Sequence, residues 1–177
     1  MEDAALLTAL REHAYLEGDF VLRSGKRSQY YLDKYRFETV PDLLEALGAR
    51  LAAKAAEVEP DAARLAGPEL GAVALAAAAS LASRLPFLIV RAEAKAYGTA
   101  NRIEGAYAAG ERIVLIEDVV TSGGAAADAV RAVRQAGLEC RTAICVIDRE
   151  EGGVDALARV GVRLFSLFSA AQVVQGR

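Results

Sequence analysis

Residues 113–125 read IVLIEDVVTSGGA, and this stretch decides how the chain folds. Ile113-Val-Leu-Ile116 is apolar at every position, the pattern of a strand buried on both faces of a parallel sheet. It runs directly into Glu117-Asp118, two carboxylates at the carboxyl end of the strand, where open α/β sheets place their ligands. Thr121-Ser122-Gly123-Gly124 comes next, and Ala125-Ala126-Ala127 starts a helix. Small residues let backbone amides close around an anion, and a helix amino terminus adds partial positive charge. The hydroxyls of Thr121 and Ser122 are further donors. The expectation is a phosphate cradle, with two acids beside it that accept hydrogen bonds from sugar hydroxyls.

Other phosphate loops fit less well. A Walker A loop ends in Gly-Lys-Ser/Thr, and no lysine follows Gly124; the dinucleotide fingerprint Gly-x-Gly-x-x-Gly is also missing after the strand. A plain strand–turn–helix with solvated carboxylates is the bland alternative. The conjunction of acid pair, hydroxyl pair, glycine pair and apolar strand argues against it.

Outward from this segment, strands and helices alternate. Glu2–His13 reads as an amphipathic helix with Leu6, Leu7 and Leu10 on one face, and Phe20–Leu32 as a hairpin turning at Ser24-Gly25-Lys26. Pro41 opens a helix with Leu43, Leu44, Leu47 and Leu51 inward. A short strand at Arg64–Ala66 ends at Gly67-Pro68, Ala72–Ser83 is a closely packed helix that Pro86 breaks, and Phe87–Val90 is a central strand. Arg91–Gly110 has mixed charge, three glycines and little periodicity; it reads as a long mobile loop ending in a short hairpin around Ile103–Tyr107. Then come a strand at Arg112–Ile116, the loop Glu117–Gly124, a helix at Ala125–Ala136, and a strand at Thr142–Ile147. A helix at Val154–Val160 and a strand at Arg163–Leu167 complete the chain. The alternation predicts an α/β fold, a Rossmann-like, mostly parallel sheet flanked by helices, as one domain over residues 1–177.

Composition narrows the partners. The 177 residues, 54% hydrophobic, are enough for a substantial core. A net charge of -3 disfavours nucleic acid as a partner while leaving room for a small anion held by local cations. The longest apolar run, Gly71–Leu81, is too short and too alanine-rich to span a membrane, and no secretion leader is evident, so a cytoplasmic protein is expected. Cys140 and Cys145 match no metal-ligand spacing and read as buried free thiols; His13 reads as structural.

Taken whole, Ile113–Ala125 resembles the signature with which type I phosphoribosyltransferases bind 5-phosphoribosyl-1-pyrophosphate (PRPP). Three further segments resemble the orotate phosphoribosyltransferases: Phe20–Asp33 (FVLRSGKRSQYYLD), Arg91–Gly98 (RAEAKAYG) followed by Ile103-Glu104-Gly105, and Ile147–Gly152 (IDREEG). The resemblance runs from about Leu16 to Gly153.

It implies an N-terminal hairpin hood formed by about residues 1–40 and a mobile catalytic loop. Glu117 and Asp118 would hold the ribose hydroxyls of PRPP, and Val119, Val120, Thr121, Ser122, Gly123, Gly124 and Ala125 would form the 5-phosphate loop. Arg91, Lys95 and Tyr97 would bind the pyrophosphate, with Lys95 and Asp118 as the catalytic residues. Thr121, Arg149, Arg23 and Tyr31 would contact orotate. The family's cofactor is Mg2+, held mainly by substrate rather than by the protein, and its functional unit is a homodimer with shared active sites. Each role has a physical sense: pyrophosphate leaves only where cations meet its developing charge, and a guanidinium suits planar carboxylate recognition. The chain departs from the family pattern at Ala92, where relatives often carry a second lysine. Many have histidine at the position of Tyr97, and a basic residue near the turn occupied by Glu69-Leu70. The same signature serves purine salvage enzymes and PRPP-sensing regulators. Arg149 and the hairpin argue against the first, and the net charge against the second.

Overall fold

The computed structural model describes residues 1–21, 25, 27–93 and 101–175. Helix α1 (Asp3–Ala14) leads into a hairpin of β1 (Tyr15–Val21) and β2 (Arg27–Leu32). A single turn, α2 (Tyr35–Glu38), precedes the long α3 (Pro41–Val58), which Pro41 opens with a preset φ and no orphaned N–H. Then follow β3 (Arg64–Pro68), α4 (Gly71–Ser83), β4 (Phe87–Val90), β5 (Ile103–Glu104) and β6 (Arg112–Val120). The chain continues through α5 (Gly124–Gln135), β7 (Glu139–Asp148), α6 (Gly153–Arg159), β8 (Arg163–Ser169) and α7 (Ala170–Gln175).

The main sheet has the order β5-β4-β3-β6-β7-β8, parallel throughout except at β5; the hairpin forms a separate two-stranded sheet. Side-chain alternation along β6 explains its uninterrupted apolar sequence. Val114 and Ile116 enter one core with Leu10 of α1, Phe37 of α2, Leu47 and Leu51 of α3 and Leu75 of α4. Ile113 and Leu115 enter the other, with Val130 and Val133 of α5 and Leu157 of α6. Both faces are covered, as a parallel sheet requires. Helices α3 and α4 approach closely because Gly48 has no Cβ; one built there would lie 2.6 Å from Ala78 Cβ. Cys140 and Cys145 are free and buried, with burial pushing the Cys140 thiol up to about 11. His13 bonds through Nδ1 to the Ala9 carbonyl within α1.

The expected α/β architecture is present, with several corrections. Strand β6 continues through Glu117 to Val120, where a loop was expected, because its backbone stays paired with β7 (Glu117 with Cys145, Val119 with Ile147). Residues Ile103–Glu104 do not begin a local hairpin; they add antiparallel to Ile89 and Val90 at the sheet edge. The hairpin strand starts at Tyr15, five residues earlier than its alternation suggested, and α2 and α7 had no counterpart among the expected elements.

Candidate active site

The loop after β6 is shaped by glycine. Gly123 caps α5 at φ +77, and a Cβ there would lie 2.9 Å from Ala156 Cβ and 3.0 Å from the Gly153 Cα. A Cβ on Gly153 would in turn overlap the Val120 side chain. The loop is therefore seated on the start of α6, which fixes its curl. The first helical bond shown here is Ala127 N–H to Gly123 O at 2.9 Å, so the amides just ahead of it are ones that a helix cannot satisfy internally. They border an open pocket of about 430 Å³ lined by Glu117 and residues 119–126. Shape and polarity suit a phosphate on a helix amino terminus.

The acids beside it are unequal. Glu117 is 8% exposed; burial first, then the charge of Asp118, pushes its carboxyl up to about 8, against a smaller opposing pull from Lys34. At neutral pH it is a neutral acid that can donate as well as accept. Asp118, 3% exposed, is ion-paired: its Oδ2 lies 2.6 Å from Lys34 Nζ, and its Oδ1 accepts the Val119 N–H at 2.5 Å. Burial lowers the Lys34 pKa, but the hydrogen bond and charge of Asp118 outweigh it and the net shift is upward. Glu38, four residues beyond Lys34, is also buried against Asp118, and burial followed by the charge of Asp118 pushes it up to about 8.

Arg149 follows β7 directly, and its N–H donates to Val120 O at 2.9 Å, which joins it to the end of β6. Its side chain, 8% exposed, lies over the Tyr30 ring with the guanidinium carbon 5.4 Å from the centroid. It pairs with Glu151 at 3.0 Å, while its Nε is buried without a partner. Tyr30 thus faces Arg149. Adjacent strand residues point to opposite faces, and Tyr31 sits outward, 41% exposed, against Phe20 at 5.7 Å.

The structure therefore brings together the loop 119–125, Glu117 and Asp118, with Arg149 at the neighbouring strand end. Arg91 is not in that pocket: just past β4, its Nη1 lies 3.7 Å from Glu104 and its N–H donates to Arg102 O at 2.8 Å. Arg23, Lys95 and Tyr97 lie outside the described residues. Sequence reasoning missed Lys34, Glu38 and Tyr30. The i, i+4 spacing of Lys34 and Glu38 was the available signal, since it sets both on one side of a turn of helix.

No family model matches the sequence. The chain is 42% identical over 173 residues to the orotate phosphoribosyltransferase of Methanocella arvoryzae, with 97% of each chain covered. The chain belongs to the orotate phosphoribosyltransferase family. The crystal structure of the Aeropyrum pernix orotate phosphoribosyltransferase superposes with a TM-score of 0.84 at 32% identity, covering 98% of this chain and 97% of that one. The Mycobacterium tuberculosis orotate phosphoribosyltransferase in complex with PRPP gives 0.82 at 28% identity, covering 97% and 98%. Two departures from the orotate phosphoribosyltransferase pattern meet in space: the Glu69 carboxylate accepts the Ala92 N–H at 2.8 Å, tying the turn after β3 to the chain leaving β4. The peptide joining Glu69 to Leu70 in that turn is cis, and Leu70 is exposed.

Proposed function

We propose that this protein transfers the 5-phosphoribosyl group of PRPP to orotate, giving orotidine 5'-monophosphate and pyrophosphate in de novo pyrimidine synthesis. The observation that carries the reading is the pocket after β6, where a glycine-shaped loop at a helix amino terminus adjoins the two buried acids. The 5-phosphate accepts from the amides of 122–125 and the hydroxyls of Thr121 and Ser122. The ribose hydroxyls lie against Glu117 and Asp118, with the neutral Glu117 free to donate. Orotate lies with its carboxylate on Arg149 and its ring near Tyr30, with Thr121 touching both ligands and Arg23 and Tyr31 as lids over the base.

Lys95, with Arg91 and Tyr97, meets the departing pyrophosphate from the segment after β4 and favours an oxocarbenium-like transition state; no covalent nucleophile on the protein is needed. Among the described residues no group of three or more His, Cys, Asp or Glu side chains is placed to hold a metal ion. Mg2+ in this reading would be held mainly by substrate oxygens, as an ion that keeps few protein ligands prefers, and would supply charge neutralisation to the pyrophosphate. The working unit is a homodimer whose Lys95 segment reaches the neighbouring site. Among the described residues no helix is long and apolar enough to cross a membrane. The two free thiols fit a reducing cytoplasm.

The test is direct. Protein mixed with PRPP, Mg2+ and orotate should consume orotate, followed by loss of its absorbance. Inertness toward orotate together with turnover of uracil or a purine would overturn the assignment.

A further inference from the structure

The hood turn α2 sends two side chains toward Asp118, the acid next to Glu117. Lys34 Nζ reaches Asp118 Oδ2 at 2.6 Å, although 84 residues separate them in sequence. This approach is possible because residue 71 has no side chain: a Cβ on Gly71 would overlap Asp118 Oδ2 and come within 3.1 Å of Lys34 Nζ. Glu38 closes the group from the other end of the turn. It is 4% exposed, its Oε1 has no partner, and burial followed by the charge of Asp118 pushes its carboxyl up to about 8. A buried carboxylate without partners would be costly, and the Lys34 ion pair offsets that cost while fixing where the Asp118 oxygens point. Neither belongs to the 113–125 segment that forms the phosphate loop.

We propose that Lys34 and Glu38 are positioning residues for the reaction, acting through Asp118: Lys34 holds its carboxylate in an ion pair, and Glu38 closes the group beside it, so that it is aimed at the ribose of PRPP. The hood then has a second task beside covering the base. It orients an acid of the PRPP site, and the packing of α2 sets PRPP affinity. The cation also stands at Gly71, at the end of the Glu69-Leu70 turn. The inference rests on the PRPP reading of the pocket but not on orotate as the acceptor.

The test is a double-mutant cycle on PRPP affinity, measured by calorimetry with Mg2+, with KM values for both substrates. Lys34→Met should weaken PRPP binding about ten-fold, the scale of one charge-assisted contact, with the orotate KM unchanged. In an Asp118→Asn background the same change should add less than about two-fold, because its effect passes through Asp118. Glu38→Gln, which keeps a neutral polar side chain of the same size, should bind PRPP like the wild type, whereas Glu38→Leu should lose affinity. A merely structural role would lower Tm yet leave PRPP affinity unmoved, and it would give independent, multiplying effects in the cycle; either result overturns the inference. If Lys34→Met fails to fold, the Gln and Leu variants of Glu38 decide alone, equal affinities contradicting the proposal. A wild-type protein that binds no PRPP would overturn the functional reading as well; one that binds PRPP but ignores orotate would overturn only the choice of acceptor.

Discussion

The guanidinium carbon of Arg149 lies over Tyr30, 5.4 Å from the ring centroid, and this contact joins the end of the main sheet to the hood. The charge is nearly buried, with one partner in Glu151 and a vacant Nε. A planar, carboxylated base can complete that set of donors. Arg149→Met should raise the orotate KM at least about ten-fold and leave PRPP affinity unchanged, as loss of a charged hydrogen-bonding partner predicts. Arg149→Lys should rescue little, because an ammonium supplies neither the fork nor the stacked plane. Initial rates against each substrate in turn check both.

The buried acids make the substrate-free protein sensitive to pH. Glu38 and Glu117 are both pushed up to about 8 from an ordinary value of 4.5, chiefly by burial. Between those values the folded chain keeps protons that the unfolded chain releases, so stability falls as pH rises through that window and levels off above it. Glu111, held down at about 2 by its hydrogen bond to Arg64, titrates below the window and does not mask the trend. Thermal unfolding should therefore give a higher Tm at pH 6 than at pH 8.5, and Glu38→Gln should flatten the slope. A Tm that rises across this interval would contradict the account.

Gly123 is where the loop tolerates least change. An alanine there meets both an unfavourable left-handed backbone, costing roughly 1–2 kcal/mol, and contacts at 2.9–3.0 Å with the start of α6. Gly123→Ala should lower Tm by several degrees, on the scale of about 2–4 °C per kcal/mol for a chain of this size, and weaken PRPP binding. Calorimetry reads both.

Lys95 is assigned to turnover rather than to binding. Lys95→Ala should lose kcat far more than PRPP affinity. Mixed dimers of Lys95→Ala and Asp118→Ala chains should recover activity if each site draws on both subunits. No recovery would contradict the shared site.

Much of this architecture was legible because β6 is apolar on both faces and is followed by acids, hydroxyls and glycines in one continuous run. Its end was misplaced for a physical reason. Glu117 and Asp118 look like loop residues by polarity, yet the backbone there remains in the ladder with β7 and both side chains are buried. The hood was legible as a hairpin but not in register: with tyrosine at both 30 and 31, alternation cannot say which ring faces Arg149. The Lys34–Asp118 pair was hidden more deeply, because it depends on the placement of a one-turn helix and on a glycine, Gly71, whose role appears only in three dimensions.

The central claim is that the segment 113–125 holds PRPP, and a crystal structure of the protein with PRPP and Mg2+ tests it most directly. The account predicts the 5-phosphate on the amides of 122–125 and the ribose hydroxyls against Glu117 and Asp118. PRPP bound elsewhere, with the loop after β6 empty, would contradict it.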